Sequence, residues 1–354
     1  MLPVEAWQKE LISSDFKSSA HGRIACTACH GGSEGVSTMA QAHAGMRRDP
    51  EAQVCEQCHK GIGESQSHSL HATLAGYTNM IRDRSGQGTL HPQLEAMFNK
   101  HCATCHATCG QCHVSRPHSV GGGFIEGHAF RKRPSMTENC TACHGSRVGE
   151  EFRGEHAGLA ADTHYNRGMQ CVACHQNEEL HASAAGAQNR YQAASAPKCV
   201  DCHNVTNSNT YHAAHGNKVS CQVCHSQPYK NCYNCHVGTE TKGLQLPSEM
   251  DFKIGRNPLK SAERPENYVL VRHIPIAPDA YDDWLPGALQ NFAVMPTWKS
   301  TTPHNIQKRT PQTADCTSSC HNNRDLFLTE DDLQGASAQE AAANQNVIVQ
   351  AIPH

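Results

Sequence analysis

Residues 101–113 read HCATCHATCGQCH, two Cys-x-x-Cys-His units seven residues apart with a further histidine directly in front of them. The same unit recurs along the whole chain. Nine copies are Cys26, Cys29 and His30; Cys55, Cys58 and His59; Cys102, Cys105 and His106; Cys109, Cys112 and His113; Cys140, Cys143 and His144; Cys171, Cys174 and His175; Cys199, Cys202 and His203; Cys221, Cys224 and His225; and Cys232, Cys235 and His236. A tenth, Cys316, Cys320 and His321, has one extra residue between its cysteines, and together the ten pairs use all 20 cysteines.

A pair of this spacing puts two sulfurs about one helical turn apart, and the adjoining histidine turns its imidazole to the same side. That is the attachment chemistry of c-type haem: two thioether bonds hold the porphyrin, and the histidine takes one axial place on the iron. The competing reading is zinc, with two cysteine pairs converging on one tetrahedral ion. Zinc explains the cysteines but not why a histidine follows every pair. The expected cofactor is therefore haem c, ten per chain, bound through these cysteines.

Ten haems on 354 residues leave little room for independent peptide cores. With 38% hydrophobic and 5% aromatic residues, the macrocycles are expected to supply much of the buried area, and removing them should unfold the chain. The formal net charge is -3. With two ionised propionates each, ten bis-histidine haems would bring the total to roughly -13 oxidised and -23 reduced. Such an acidic object is not expected to bind nucleic acid.

No run approaches 18 apolar residues, so no transmembrane segment is expected. Covalent haem attachment belongs to exported chains, which places the protein in the periplasm, at the cell surface or outside the cell. The opening MLPVEAWQKE has no basic and apolar leader, so a signal peptide is expected to be missing from this numbering.

The spacing of motifs divides the chain into residues 1–236 with nine haems, 237–315 with none, and 316–354 with the tenth haem and a C-terminal helix and tail. Within 101–113, seven residues span at most about 25 Å extended and about 10 Å as helix, so haems 3 and 4 should nearly touch. Haems 8 and 9, eleven residues apart, form a second close pair. Residues 3–12, 92–104 and 326–345 carry helix-forming residues, while the rest reads mostly as coil with few strands. The haem-poor segment holds nine of the 17 prolines and the phrase YVLVRHIPIAPDAYDDWLPG. It reads as an extended strap over haem edges, with a substrate or docking module as the alternative. The apolar tail NVIVQAIPH reads as packing on its own chain; docking on a neighbouring subunit, in a homo-oligomer or filament, is the alternative.

Sixteen histidines remain after the ten of the motifs, enough to fill every second axial place. A histidine just before a motif cannot easily wrap round to the far face of the same haem, so His21, His101, His164 and His215 should serve other haems. The candidates are His21, His43, His71, His101, His128, His164, His181, His212, His215, His273 and His304, eleven names for ten places. His68, His91, His118, His156 and His354 are reserves. None of the nine methionines is favourably arranged.

On these motifs the chain resembles the multihaem c-type cytochromes of respiratory and extracellular electron transfer. The resemblance runs from His21 to His321, and KVSCQVCHSQPYKNCYNCH (218–236) is similar to a segment of octahaem tetrathionate reductase-like proteins. It implies a multihaem cytochrome c fold of mostly short α-helices and coil wrapped around a closely packed haem array, with little β. It also implies electron transfer, with other redox proteins or extracellular acceptors as partners. A reductase of nitrogen or sulfur oxyanions is the alternative, and a subunit of a conductive cytochrome filament the second. No motif ends in lysine, the mark of one reductase class, so a carrier is favoured over a catalyst.

Overall fold

In the computed structural model the described residues are 12–101, 107–181, 186–193, 195–205, 208–227, 252–274 and 276–353. The third motif, Cys102, Cys105 and His106, and the ninth, Cys232, Cys235 and His236, lie outside them, as do most of the segment 3–12 and His354. The chain is mostly short helices and coil with little sheet.

Four of the described motifs form single α-helical turns, Cys26–His30, Cys109–His113, Cys221–His225 and Cys316–Cys320. Others are less regular. Cys140 ends the π-turn Met136–Cys140 while Cys143 lies in the α-turn Thr141–His144, and Cys202 closes the 3-10 turn Cys199–Asp201. Cys58 stands just beyond the helix Ala52–Glu56, its amide donating to the Cys55 carbonyl at 3.2 Å, and Cys174 ends the helix Cys171–Cys174. In motifs 2, 6 and 7 the histidine amide still donates to the carbonyl of the first cysteine, at 2.9 Å for His59, His175 and His203. That bond, four residues long, keeps the histidine one turn from the first sulfur.

Local caps start several turns. Thr108 accepts from the Gln111 amide at 3.3 Å, and Asp315 accepts from the Ser318 amide at 3.4 Å. The segment expected to be helical from 92 is the helix Pro92–His101. Residues 326–345 form a 3-10 turn, Glu330–Leu333, and the helix Ala338–Asn344.

Two compact units can be distinguished. The first comprises Met1–Tyr77, Asn99–His144 and Cys171–Ala196; the second comprises Thr78–Phe98, Gly145–Gln170 and Pro197–His354. Among the described residues of the first unit, the buried apolar side chains are Leu74, Val114 and Met136. The second has a conventional core.

That core is built on a three-stranded antiparallel sheet, β1 (Phe252–Arg256), β2 (Tyr268–His273) and β3 (Trp298–Ser300), with β2 in the centre. Ile254 pairs with Leu270, and Arg272 with Lys299. Successive strand residues face opposite sides of a sheet, and here both sides are covered. Val269 and Val271 join Trp298, Leu328, Leu333, Val347 and Ile348, whereas Leu270 joins Ile254, Phe327, Val349 and Val223. Two-sided burial accounts for the continuous apolar run YVLV. The described part of the segment read as a strap thus carries a sheet, and the C-terminal tail packs into it, with Val347 fully buried.

The sheet also grips a motif. Val219 and Cys224 pack against the second cluster, the Ser220 amide donates to the Tyr268 carbonyl at 3.0 Å, and Thr310 Oγ1 donates to the Cys224 carbonyl at 2.5 Å. The turn Cys221–His225 is held on a rigid support.

Candidate axial-ligand pairs

The histidines come together two by two. In the first unit the ring centres of His21 and His59 are 6.0 Å apart, His30 and His128 5.7 Å, His71 and His144 6.1 Å, and His113 and His181 6.1 Å. In the second, His164 and His203 are 5.9 Å apart, His212 and His225 6.1 Å, and His215 and His321 6.3 Å. Every one of these pairs joins one motif histidine to one candidate from outside the motifs. The ring of His21 faces His59, that of His164 faces His203, and that of His215 faces His321 rather than His225.

This spacing has a chemical meaning. A metal–imidazole bond is about 2 Å long, and the nitrogen lies about 1 Å from its ring centre, so two imidazoles on opposite sides of one metal have centres about 6 Å apart. Contacting rings would be closer. Among the described residues no group of three or more His, Cys, Asp or Glu side chains converges on one point. A macrocycle that itself supplies four nitrogens needs only two protein ligands, so residues in pairs fit haem.

Among the described residues the motif cysteines are exposed or half-buried, where an outside group can reach them. Cys26, Cys58, Cys143, Cys174, Cys199 and Cys202 are exposed, while Cys29, Cys55, Cys109, Cys112, Cys140, Cys171, Cys221, Cys224 and Cys320 are half-buried. Within a motif the second sulfur is often the more open one, as in Cys58, Cys143 and Cys174 against Cys55, Cys140 and Cys171. Cys105 and Cys235, called as attachment points with Cys102 and Cys232, lie outside the described residues.

Sulfurs of different motifs also meet. Cys55 hydrogen-bonds Cys109, which raises the Cys55 thiol and lowers Cys109 to about 7; Cys199 and Cys221 do the same, with Cys221 lowered to about 7. Cys140 is raised chiefly by its hydrogen bond with Cys171. Motif 2 therefore abuts motif 4, motif 5 abuts motif 6, and motif 7 abuts motif 8.

Hydrogen bonds at Nδ1 orient the rings. His30 bonds the Arg47 carbonyl at 2.7 Å, His113 the Arg131 carbonyl at 2.6 Å, His225 the Gln307 carbonyl at 3.0 Å, and His215 the Tyr211 carbonyl at 2.8 Å. His181 bonds Asn177 Oδ1 at 2.6 Å, His212 pairs with Ser208 Oγ at 2.8 Å, His164 bonds Asp162 Oδ1 at 2.9 Å and His175 bonds Glu179 Oε2 at 2.7 Å. An Nδ1–H donated in this way leaves the Nε2 lone pair for a metal. Asn177, Ser208, Tyr211 and Glu179 are absent from the ligand set expected from sequence. Each lies four residues from its histidine, and that one-turn spacing is the sequence signal that marks them.

Burial and neighbouring imidazoles lower the basicity of some ligand candidates. Burial is the larger cause for His21, His71 and His181, joined by His59, His175 and His113 respectively. These rings favour the neutral form that coordination requires. The Glu179 hydrogen bond instead raises His175, against the opposing effect of burial.

Other histidines are used differently. For His273, expected from sequence as a ligand, Nε2 lies 2.7 Å from Glu340 Oε1 and the ring packs on Trp298. His118 and His156 likewise point Nε2 at carboxylates, Asp49 at 3.4 Å and Glu150 at 3.5 Å. His304 Nδ1 is 3.6 Å from buried Glu151. The seven pairs do not include the candidates His43 and His304, and the side chain of His101 lies outside those described. The expected contacts of haems 3 and 4, and of haems 8 and 9, involve residues outside those described. Among the described residues no helix is long and apolar enough to cross a membrane. No protein-family model matches the chain, and no curated protein or solved structure is detectably similar to it.

Proposed function

We propose that this chain is an exported decahaem c-type cytochrome that passes electrons along closely spaced haems. The observation that carries the reading is the pairing of seven motif histidines with seven others at 5.7–6.3 Å. The bound group supplies an iron that alternates between ferric and ferrous states. The chain's residues do the rest.

The two cysteines of a motif would hold the group by two thioether bonds, and the paired histidines would ligate its iron in both oxidation states, so that passing one electron would break no bond and require little rearrangement. The sulfur contacts between motifs 2 and 4, 5 and 6, and 7 and 8 support short steps between neighbouring sites. The electron partners are other redox proteins or an extracellular acceptor.

The test is low-temperature EPR of the oxidised holoprotein, with haem measured as the pyridine haemochrome on the same sample. Ring angles of 19°, 15° and 30° in His21–His59, His113–His181 and His212–His225 are near parallel, whereas 75°, 82°, 64° and 80° in the other pairs approach perpendicular. Parallel imidazole planes split the iron dπ orbitals and give rhombic spectra; crossed planes leave them nearly degenerate and give a single large-g feature. Ten low-spin haems showing both types are expected. A stoichiometric high-spin signal that shifts with nitrite, hydroxylamine or a sulfur oxyanion would replace this reading with that of a reductase.

A further inference from the structure

The groups bonded to the ring nitrogens differ in charge. His30, His113, His215 and His225 bond backbone carbonyls, His181 bonds an amide and His212 a hydroxyl. His164 and His175 bond carboxylates. Asp162 is 2% exposed, and its charge is held in place: Oδ1 accepts both the backbone amide and Nδ1–H of His164, at 2.6 and 2.9 Å, while Oδ2 accepts the Ile306 amide at 2.6 Å. Glu179, 19% exposed, bonds His175 one helical turn away.

A negative charge on the far side of an axial imidazole makes that ring a stronger donor to the iron. The ferric state carries one more positive charge than the ferrous state, so the carboxylate stabilises the ferric state more. The effect is strongest where water is excluded.

We infer that Asp162 and Glu179 are positioning residues that set the haems of His203–His164 and of His175 as low-potential sites, below those whose imidazoles donate to neutral groups. This rests on the haem reading above. The step concerned is the uptake of one electron by the ferric iron, supplied in the test by a chemical reductant through mediators. Among the described residues one such site lies in each compact unit. Each would fill after, and empty before, the centres of its unit whose imidazoles bond neutral groups, which keeps electrons on those centres.

The test uses two substitutions of opposite sign in the full-length holoprotein, Asp162→Asn and Asn177→Asp. The second gives His181 a carboxylate where it now bonds Asn177 Oδ1 at 2.6 Å, and Asn177 is exposed, so the fold tolerates the change. Optical redox titration is read together with haem content and the EPR low-spin count. Asp162→Asn should raise one of the ten centres and Asn177→Asp should lower one, each by about tenfold in the redox equilibrium, about 59 mV for one electron. The other nine should keep their positions.

Titrations that superimpose on wild type in both variants, with ten haems and an unchanged low-spin count, would overturn the inference and leave the haem reading standing. If Asp162→Asn instead releases His164 and produces a high-spin centre, Asn177→Asp decides alone: a downward shift supports the inference and none overturns it. Absence of haem from the wild-type protein would fail the underlying reading, a result visible before any titration.

Discussion

At the scale of single residues, the direction of a histidine's hydrogen bond separates its roles. Rings that give Nδ1–H to a neighbour leave the Nε2 lone pair able to coordinate a metal, as in His30, His113, His164, His181, His215 and His225, whereas His273 commits Nε2 to Glu340. His128 faces His30 at 5.7 Å inside a shell that includes Phe16 and Phe124, each 4.8 Å away. Replacing His128 with Ala should therefore convert one low-spin haem to high spin, seen by EPR and by the charge-transfer band near the red end of the spectrum. His273→Gln should leave the haem spectrum unchanged. A new high-spin centre in His273→Gln would restore that residue to the ligands.

At the scale of elements, the same His273–Glu340 bond ties β2 to the helix Ala338–Asn344. Thr297 Oγ1 donates to Glu340 at 2.9 Å, and Asn344 Oδ1 accepts the Thr297 and Trp298 amides at 3.0 and 2.9 Å. The His273 hydrogen bond, then that of Thr297, lowers the Glu340 carboxyl below its ordinary value, against the cost of burial. A carboxylate whose folded value is depressed stabilises the fold above its unfolded value, about 4.3. That contribution is lost as pH falls through the folded value. Glu340→Gln should cost about 1 kcal/mol near neutrality after allowance for solvent screening, and the difference from wild type should shrink steadily below about pH 4.3. Thermal unfolding of both holoproteins across pH 3 to 7 would read this out, and a gap that does not vary with pH would contradict it.

Across the whole molecule, the two units bury apolar surface in different ways. The sheet unit packs Val271, Leu328, Val347 and Phe292 at 2% exposure or less, while the first unit buries Leu74, Val114 and Met136 among its described residues and leaves Met39 77% and Met46 52% exposed beside its motifs. Apolar side chains in such positions are what bound macrocycles would cover. Protein made without haem should consequently lose its structure unevenly. Hydrogen exchange should show the first unit unprotected, with slow exchange retained in β1, β2 and the tail from 344 to 350. Equal protection in both units would refute the idea that the first unit depends on its cofactors for a core.

The ten motifs and the surplus of histidines could be read from the sequence, because two sulfurs and an imidazole within about one turn form a local pattern that needs no help from the fold. Which histidine faces which could not, since His30 and His128, or His215 and His321, are brought together by backbone paths of about a hundred residues that no spacing rule records. The mixed helix-and-coil character with little sheet was legible from composition. The sheet itself was not, because YVLVRH is buried on both faces and so shows no alternation, and because its cover comes from Leu328 and Val347 far along the chain. His273 followed the same logic. In the sequence it looked like any other histidine outside the motifs, and only the folded chain, by placing Glu340 2.7 Å from its Nε2, gave that nitrogen a carboxylate partner.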